Sequence, residues 1–375
     1  MRTSKKDMKC AFGWVLIVGV IASPLAGLGK AKPASVRAEV AVVPTQAMPL
    51  IPLGPFVRAA NGDILALNDG WIRRSSDGGA SWKGARMFPS GDYEPLNDSA
   101  LLVTQSGRVV AFFIDRKTLR YEWDDGARRL KPSSKACTLV AVSDDHGATW
   151  RTPQELQGTY AGASRGLAEI APGHLVAVGQ EMTSAKPTNV TVMYESTDNG
   201  ESWRRRSTMD GGGRGHHDGW YEGVALAVPG GAFAVLRSTQ DTLMVTRRTA
   251  SGWSRPASMN IPASSSPAGL LRLADGRILM AYNPLYPSGE RTTRRFADQG
   301  SERGASWYRR EIYARWSEDE GKTWSAPRVL WRGEKDAAYP TLFEIEPGRV
   351  WMTTYQGQVR LGFAVADLVG TPPVR

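Results

Sequence analysis

Six times along the chain a glycine opens a short run of apolar, strand-forming residues. The runs are Gly62 to Leu67, Gly107 to Phe113, Gly173 to Gly179, Gly231 to Leu236, Gly276 to Ala281 and Gly348 to Thr353. Most follow another apolar run, such as Ala268 to Leu273 or Leu342 to Ile345, so each pair reads as a hairpin turning at its glycine. The apolar positions are nearly continuous rather than alternating, the pattern of strands buried on both faces. Six such hairpins, each about one four-stranded blade apart, predict an all-β fold, a six-bladed β-propeller of four-stranded antiparallel blades. An N-terminal strand near Leu50 to Val57 is expected to close the sixth blade. No stretch carries the period of a long amphipathic helix.

A second repeat is laid over the first. Ser75-Ser-Asp77-Gly-Gly79-Ala-Ser81-Trp82 has the form S-x-D-x-G-x-[ST]-W, and it returns at Ser143 to Trp150, Ser196 to Trp203 and Ser317 to Trp324. Gly252-Trp253-Ser-Arg-Pro256 stands where a degraded copy would follow the fourth hairpin. The chemistry of the string is that of a turn. Its Asp accepts from backbone N–H groups just ahead, its Gly supplies a positive φ, and its Trp folds back to bury its ring. The string resembles the Asp-box of sialidases and related β-propellers, and the resemblance covers most of the chain after about residue 50. It implies that Asp77, Asp145, Asp198 and Asp319 are structural and lie away from the catalytic pocket.

Composition places the chain in a compartment. Arg2, Lys5, Lys6 and Lys9 precede an apolar run from Ala11 to Ala22 that is short for a membrane span. This reads as a secretory signal over residues 1–29, cleaved between Ala26 and Ala31, followed by a linker at 30–49 and the propeller at 50–375. The expected location is secreted or periplasmic, with no stable membrane insertion once the signal is removed. Only Cys137 would then remain, which excludes an internal disulfide, and no metal motif or cofactor motif is visible. The net charge of +10 falls to about +7 without Arg2, Lys5, Lys6, Lys9 and Asp7. A basic exported protein suits anionic glycans. Nucleic acid is disfavoured as a partner because the basic residues are scattered and no recognition motif is present. A monomer is expected.

The sialidase resemblance implies a Tyr nucleophile, a Glu that takes its proton, three carboxylate-binding arginines and a separate Asp acid/base. A neutral phenol needs such a base, and guanidinium groups bind a carboxylate in bidentate fashion. Carried over residue by residue, Glu222, placed ahead of the first strand of hairpin four, matches the base. Arg237, after its second strand, matches a carboxylate-binding arginine. Arg309 and Arg310 lie just ahead of the fourth box; neighbours on a strand face opposite ways, so one of them serves, with Arg309 preferred. Tyr339, opening hairpin six, matches the nucleophile. Two family features are missing. No Arg precedes Ile51-Pro52, and the loop that would hold the acid/base is reduced to Leu67-Asn-Asp69-Gly-Trp71. Asp69, or His216, His217 or Asp218 from the Gly-rich stretch Asp210 to Asp218, could stand in for the acid, His because it titrates near neutrality.

Three insertions, Asp115 to Ser134, Ser207 to Trp220 and Pro284 to Trp307, are expected to gather at one mouth of the channel. The reading is a secreted sialidase-like glycoside hydrolase acting on an anionic glycan, of sialic acid or a related acidic sugar. Two rivals stand beside it. One is a non-catalytic glycan-binding or scaffold propeller, favoured by the lost acid loop. The other is a uronate-directed hydrolase or lyase using His216 or His217.

Overall fold

The computed structural model describes residues 40–290, 295–296 and 304–370. The signal expected over residues 1–29 lies outside them. The main strands form six antiparallel sheets that make a six-bladed propeller. Blade one takes Phe56–Arg58, Ile64–Asn68, Trp71–Ser75 and Lys83–Arg86. Blade two takes Ala100–Val103, Val109–Ile114, Thr138–Ser143 and Gln154–Gln157. Blade three takes Gly166–Ala171, His174–Glu181, Val190–Ser196 and Arg204–Asp210. Blade four takes Trp220–Val228, Gly231–Ser238, Thr242–Thr249 and Ala257–Pro262, with Gly252–Trp253 as a short extra strand on its third. Blade five takes Gly269–Arg272, Ile278–Tyr282, Glu311–Ser317 and Arg328–Arg332. Blade six takes Ala338–Glu346, Arg349–Gln356 and Arg360–Ala364. The first strands contact one another in a closed cycle and line the channel.

The second strands explain the continuous apolar runs. Val109, Ala111 and Phe113 pack against Leu65 and Leu67 of blade one, while Val110 and Phe112 pack against Leu175 and Val192 of blade three. Alternate side chains thus face alternate neighbours, and both faces need to be apolar. The same logic closes the ring, with Ile64 and Ala66 of blade one against Phe343 and Trp351 of blade six. Each Val, Leu or Phe buried in this way contributes about 1.5–3 kcal/mol.

The strand that closes blade six differs from the expectation. Gln46–Ala47 pairs with Arg360–Ala364, whereas Phe56–Arg58, which overlaps the stretch expected to close the ring, is the first strand of blade one. Residues ahead of it, read as linker, also dock: Val43 N–H donates to Val329 O (2.9 Å) and Val329 N–H donates to Ala41 O (2.9 Å). A short helix, Val365–Gly370, follows, with Val365 and Leu368 buried.

Each Asp-box turns the chain from the third strand of its blade to the outermost. In the second box the Asp145 carboxylate accepts from Ser143 Oγ (2.7 Å), Ala148 N (3.1 Å) and Thr149 N (2.8 Å). The boxes at Asp77, Asp198 and Asp319 repeat the Ser hydroxyl and backbone bonds. In the first box Gly79 has φ +93°, and a Cβ there would lie 2.2 Å from the Trp351 ring of blade six. That glycine therefore serves both the turn and the blade-to-blade contact.

Burial acts to raise the Asp145 carboxyl, but the Thr149 side chain and backbone, Ser143 and Ala148 outweigh it and bring it down to about 2. Asp145→Ala should cost about 1 kcal/mol, a modest value because the carboxylate is exposed. Activity per folded molecule should be unchanged. Because the folded value is depressed, the difference between wild type and variant is fully present above about pH 4. It disappears as pH falls through about 2. Calorimetric melts across that range, with activity normalised to folded protein, check both statements.

Candidate active site

In each blade the first strand leaves one mouth of the channel, the second returns to it and the third leaves it again. The start of a first strand, the end of a second and the start of a third therefore share a mouth, and the Asp-boxes lie at the opposite rim. Glu222, Tyr339, Arg237 and Arg309 all occupy positions of the first kind.

Glu222 and Arg237 lie within strands, not outside them as the sequence suggested. Tyr221 pairs with Arg237 across blade four, and the register slips between Tyr221 and Val224. Glu222 sits in that bulge with φ +48°. In a regular strand Tyr221 and Glu222 would point to opposite faces. The bulge lets both meet one guanidinium: the Arg237 group lies 4.6 Å over the Tyr221 ring, and its Nη1 donates to Glu222 Oε2 at 2.7 Å. Arg237 is 1% exposed and Glu222 8%. Tyr339, at the start of blade six's first strand, also has a positive φ, +64°. Its Oη donates to Glu222 Oε1 at 2.9 Å and accepts from Arg237 Nη1 at 3.1 Å. The hydrogen bond between Tyr339 and Glu222 joins residues 117 apart in sequence. Burial chiefly, and then the charge of Glu222, push the Tyr339 phenol well above its ordinary range, against the opposing pull of Arg237 and Arg309.

Of the two adjacent arginines, Arg309 is at the site. It is buried, its Nη2 donates to Ser265 O at 3.0 Å and its Nη1 donates to Gln356 Oε1. Its guanidinium lies 5.7 Å over the Tyr339 ring and 4.7 Å over Trp307. Arg310 is exposed, 3.9 Å from Asp336. Ser265 Oγ accepts from Arg237 Nε at 3.0 Å, so one serine spaces the two buried arginines. Among the described residues, Arg237 Nη2 and Arg309 Nε are buried donors with no acceptor.

The remaining candidates sit differently. Asp69 is exposed in the hairpin turn of blade one and pairs with Arg116. Asp218 is buried, and its Oδ2 accepts from Arg214 N–H at 2.9 Å, so it shapes its own loop. His216 and His217 touch ring to ring at 4.3 Å, with Trp307 4.7 Å from His217 and Tyr121 4.8 Å from His216. The three insertions thus meet at this mouth through aromatic side chains. Enclosure by its neighbours, then the charges of His216, Arg237 and Arg309, push His217 far below its ordinary range. That direction favours the neutral ring over the imidazolium.

Two residues that sequence reasoning passed over complete the group. Arg165 precedes the first strand of blade three and Asp98 that of blade two. They form an ion pair with side chains 6% and 9% exposed. The Arg165 guanidinium lies 5.3 Å over the Tyr339 ring, and its Nη2 donates to Pro340 O at 2.9 Å. Both line a cavity with Asn68, Asn97, Thr341 and Tyr355. A signal for Asp98 was present in the repeat. Asp98, Glu222 and Tyr339 each stand nine residues ahead of the glycine that opens their blade's second strand, at 107, 231 and 348. Among the described residues, no group of three or more His, Cys, Asp or Glu is placed to hold a metal ion.

The profile of the BNR repeat-like domain matches residues 66–352, more than half of the chain. The chain belongs to this family. Its fold is shared with solved sialidase structures. The NanB sialidase from Streptococcus pneumoniae aligns with TM-score 0.57 at 11% identity, covering 88% of this chain and 71% of that one. The intramolecular trans-sialidase from Ruminococcus gnavus, in complex with oseltamivir carboxylate, aligns with TM-score 0.56 at 12% identity, covering 86% and 96%. A protein of unknown function from Dyadobacter fermentans aligns with TM-score 0.58 at 18% identity, covering 88% and 99%. No curated protein sequence is significantly similar to this chain. Among the described residues no helix is long and apolar enough to cross a membrane.

Proposed function

We propose that this family member is an exported glycoside hydrolase that cleaves a terminal acidic sugar, a sialic acid or a close relative, from a glycan. The observation that carries the reading is the buried contact between Tyr339 Oη and Glu222 Oε1 at 2.9 Å. A phenol held neutral at every working pH attacks only if a base takes its proton as the bond forms. Glu222 is within reach to do so. Tyr339 Oη would bond to the anomeric carbon as the bond to the leaving oxygen breaks, and water would then release the sugar. Arg237 Nη2 and Arg309 Nε would find in a substrate carboxylate the acceptor they lack. A carboxylate at the anomeric carbon also favours a neutral phenol over an anionic nucleophile, which it would repel. The fold shared with sialidases supports the same chemistry, and the secretory character of residues 1–29 supports export.

Incubation with 2,3-difluorosialic acid, followed by peptide mass spectrometry, tests the reading. Wild type should carry one glycosyl adduct on the peptide containing Tyr339. An unmodified Tyr339, together with no turnover of acidic glycosides, would leave the binding propeller as the better account.

A further inference from the structure

We propose that the cleft between blades one and two, at the rim opposite the catalytic mouth, is a second carbohydrate site that holds one acidic sugar ring without cleaving it. None of the residues around Tyr339 takes part, so the site stands apart from the glycosidase reading. The cleft has a volume of about 170 Å³ and lies between the outer two strands of blade one and the second Asp-box. Ile72 and Met87 are its buried apolar part, Arg74, Lys83 and Ala85 belong to one wall, and Trp150 forms the other. An apolar cavity of about 150 Å³ takes a benzene ring, so the space suits one six-membered ring.

The hollow exists because two residues are small and one tryptophan is left uncovered. In the third Asp-box, Trp203 is 8% exposed, shares its apolar cluster with Leu156 of blade two's outermost strand, and donates from Nε1 to Gly200 O at 3.2 Å. Beside the second box the outermost strand is Lys83–Arg86, which offers Gly84 and Ala85 where a large apolar side chain would close the gap. Trp150 is therefore half-buried, and its Nε1 lacks the glycine carbonyl that tethers Trp82 and Trp203. Trp324 lacks that tether too, so the signal is the coincidence of an untethered ring with a hollow. Such an indole can settle on the apolar face of a pyranose, with polar groups at the edge fixing its orientation.

Charge fixes the class of ring. Arg74, Lys83 and Arg86 line the cleft, and no carboxylate does. Arg74 is engaged by Asp63 at 2.7 Å, and Arg86 lies 4.9 Å over the Trp71 ring with Glu94 3.9 Å away. Lys83, which is exposed, is the cation left for a ligand, and its ammonium is a point charge that suits a carboxylate or a sulfate alike. A neutral sugar would gain the ring contact without the charge. Because the cleft and the catalytic mouth lie at opposite rims, one sugar residue cannot occupy both. A branched or surface-bound glycan can engage the two together, and the second contact raises its effective concentration at the first.

An NMR titration that follows the Trp150 indole N–H, assigned with Trp150→Phe, tests the site. The probes are methyl glucuronide, free N-acetylneuraminic acid, a glucose sulfate and the neutral methyl glucoside. In wild type at least one of the three acidic sugars should shift that signal saturably, and methyl glucoside should bind about fivefold more weakly. The ranking of the three then tells carboxylate from sulfate. Lys83→Glu should weaken the acidic sugar by about fivefold or more. Ala85→Leu should abolish the shift by filling the hollow while Trp150 stays in place. Lys83 is exposed, so Lys83→Glu keeps the test decisive even if Ala85→Leu misfolds. The readout is local to the cleft and holds whether or not the protein turns over a glycoside. A signal unmoved by all three acidic sugars, a neutral sugar bound as tightly as the best of them, or unweakened binding in Lys83→Glu would overturn the assignment.

Discussion

Replacing Tyr339 by Phe should lower kcat on an acidic glycoside by on the order of 10³-fold or more while leaving ligand binding nearly unchanged. The change removes one oxygen. Glu222 loses the donor on Oε1 but keeps Arg237 on Oε2, and the ring keeps Arg165, Arg309 and Tyr355 around it. The cost to folding should therefore be only about 1–2 kcal/mol. Single-turnover rates, a binding titration with the free acidic sugar, and a melt separate the three effects. A variant keeping a tenth of wild-type turnover would remove Tyr339 from the reaction, whatever the fate of the fold.

Arg237→Ala should act the other way round, on binding and on stability together. Its guanidinium holds Glu222, meets Tyr339, lies over Tyr221 and Trp307 and is braced by Ser265. Truncation leaves Glu222 as a buried carboxylate without its cation, at a cost of about 3–5 kcal/mol. Affinity for an acidic sugar should fall by about 2–5 kcal/mol. Arg237→Lys should restore part of the stability and less of the affinity, because an ammonium is a point charge without the bidentate fork. Calorimetry and titration on the two variants check the order. Equal affinity in wild type and Arg237→Ala would place the carboxylate elsewhere.

The parts of the molecule legible in the sequence are those with local chemistry. Each Asp-box closes within eight residues, and each second strand needs both faces apolar, so both leave a pattern readable without knowing the neighbours. Gln46–Ala47 leaves none, because two exposed residues paired to a distant strand carry no period. Glu222 was matched through the sialidase resemblance, but its bulge was not foreseen, since a register slip is fixed by the partner strand. Arg309 was separated from Arg310 only by what surrounds each: one is enclosed by Trp307, Ser265 and Gln356, the other faces solvent near Asp336. Asp98 shares the offset of Glu222 and Tyr339 from a hairpin glycine, but Arg165 belongs to no repeat. Their relation to Tyr339 exists only once blades two, three and six are brought around one axis.

The pairing of Gln46–Ala47 with Arg360–Ala364 also bears on how the molecule is made. Gln46 and Gly362 are partners across 316 residues of chain, and bringing such ends together costs about 5 kcal/mol of loop-closure entropy before any contact repays it. The first strand among the described residues therefore pairs with one of the last. Until it does, the faces of blades one and six that carry Ile64, Ala66, Phe343 and Trp351 are open to water and to other chains. A half-made ring is the species at risk of aggregation, and closure is a late, non-local event that slows folding. Once closed, no blade can leave without exposing two neighbours, so the ring should unfold as one unit.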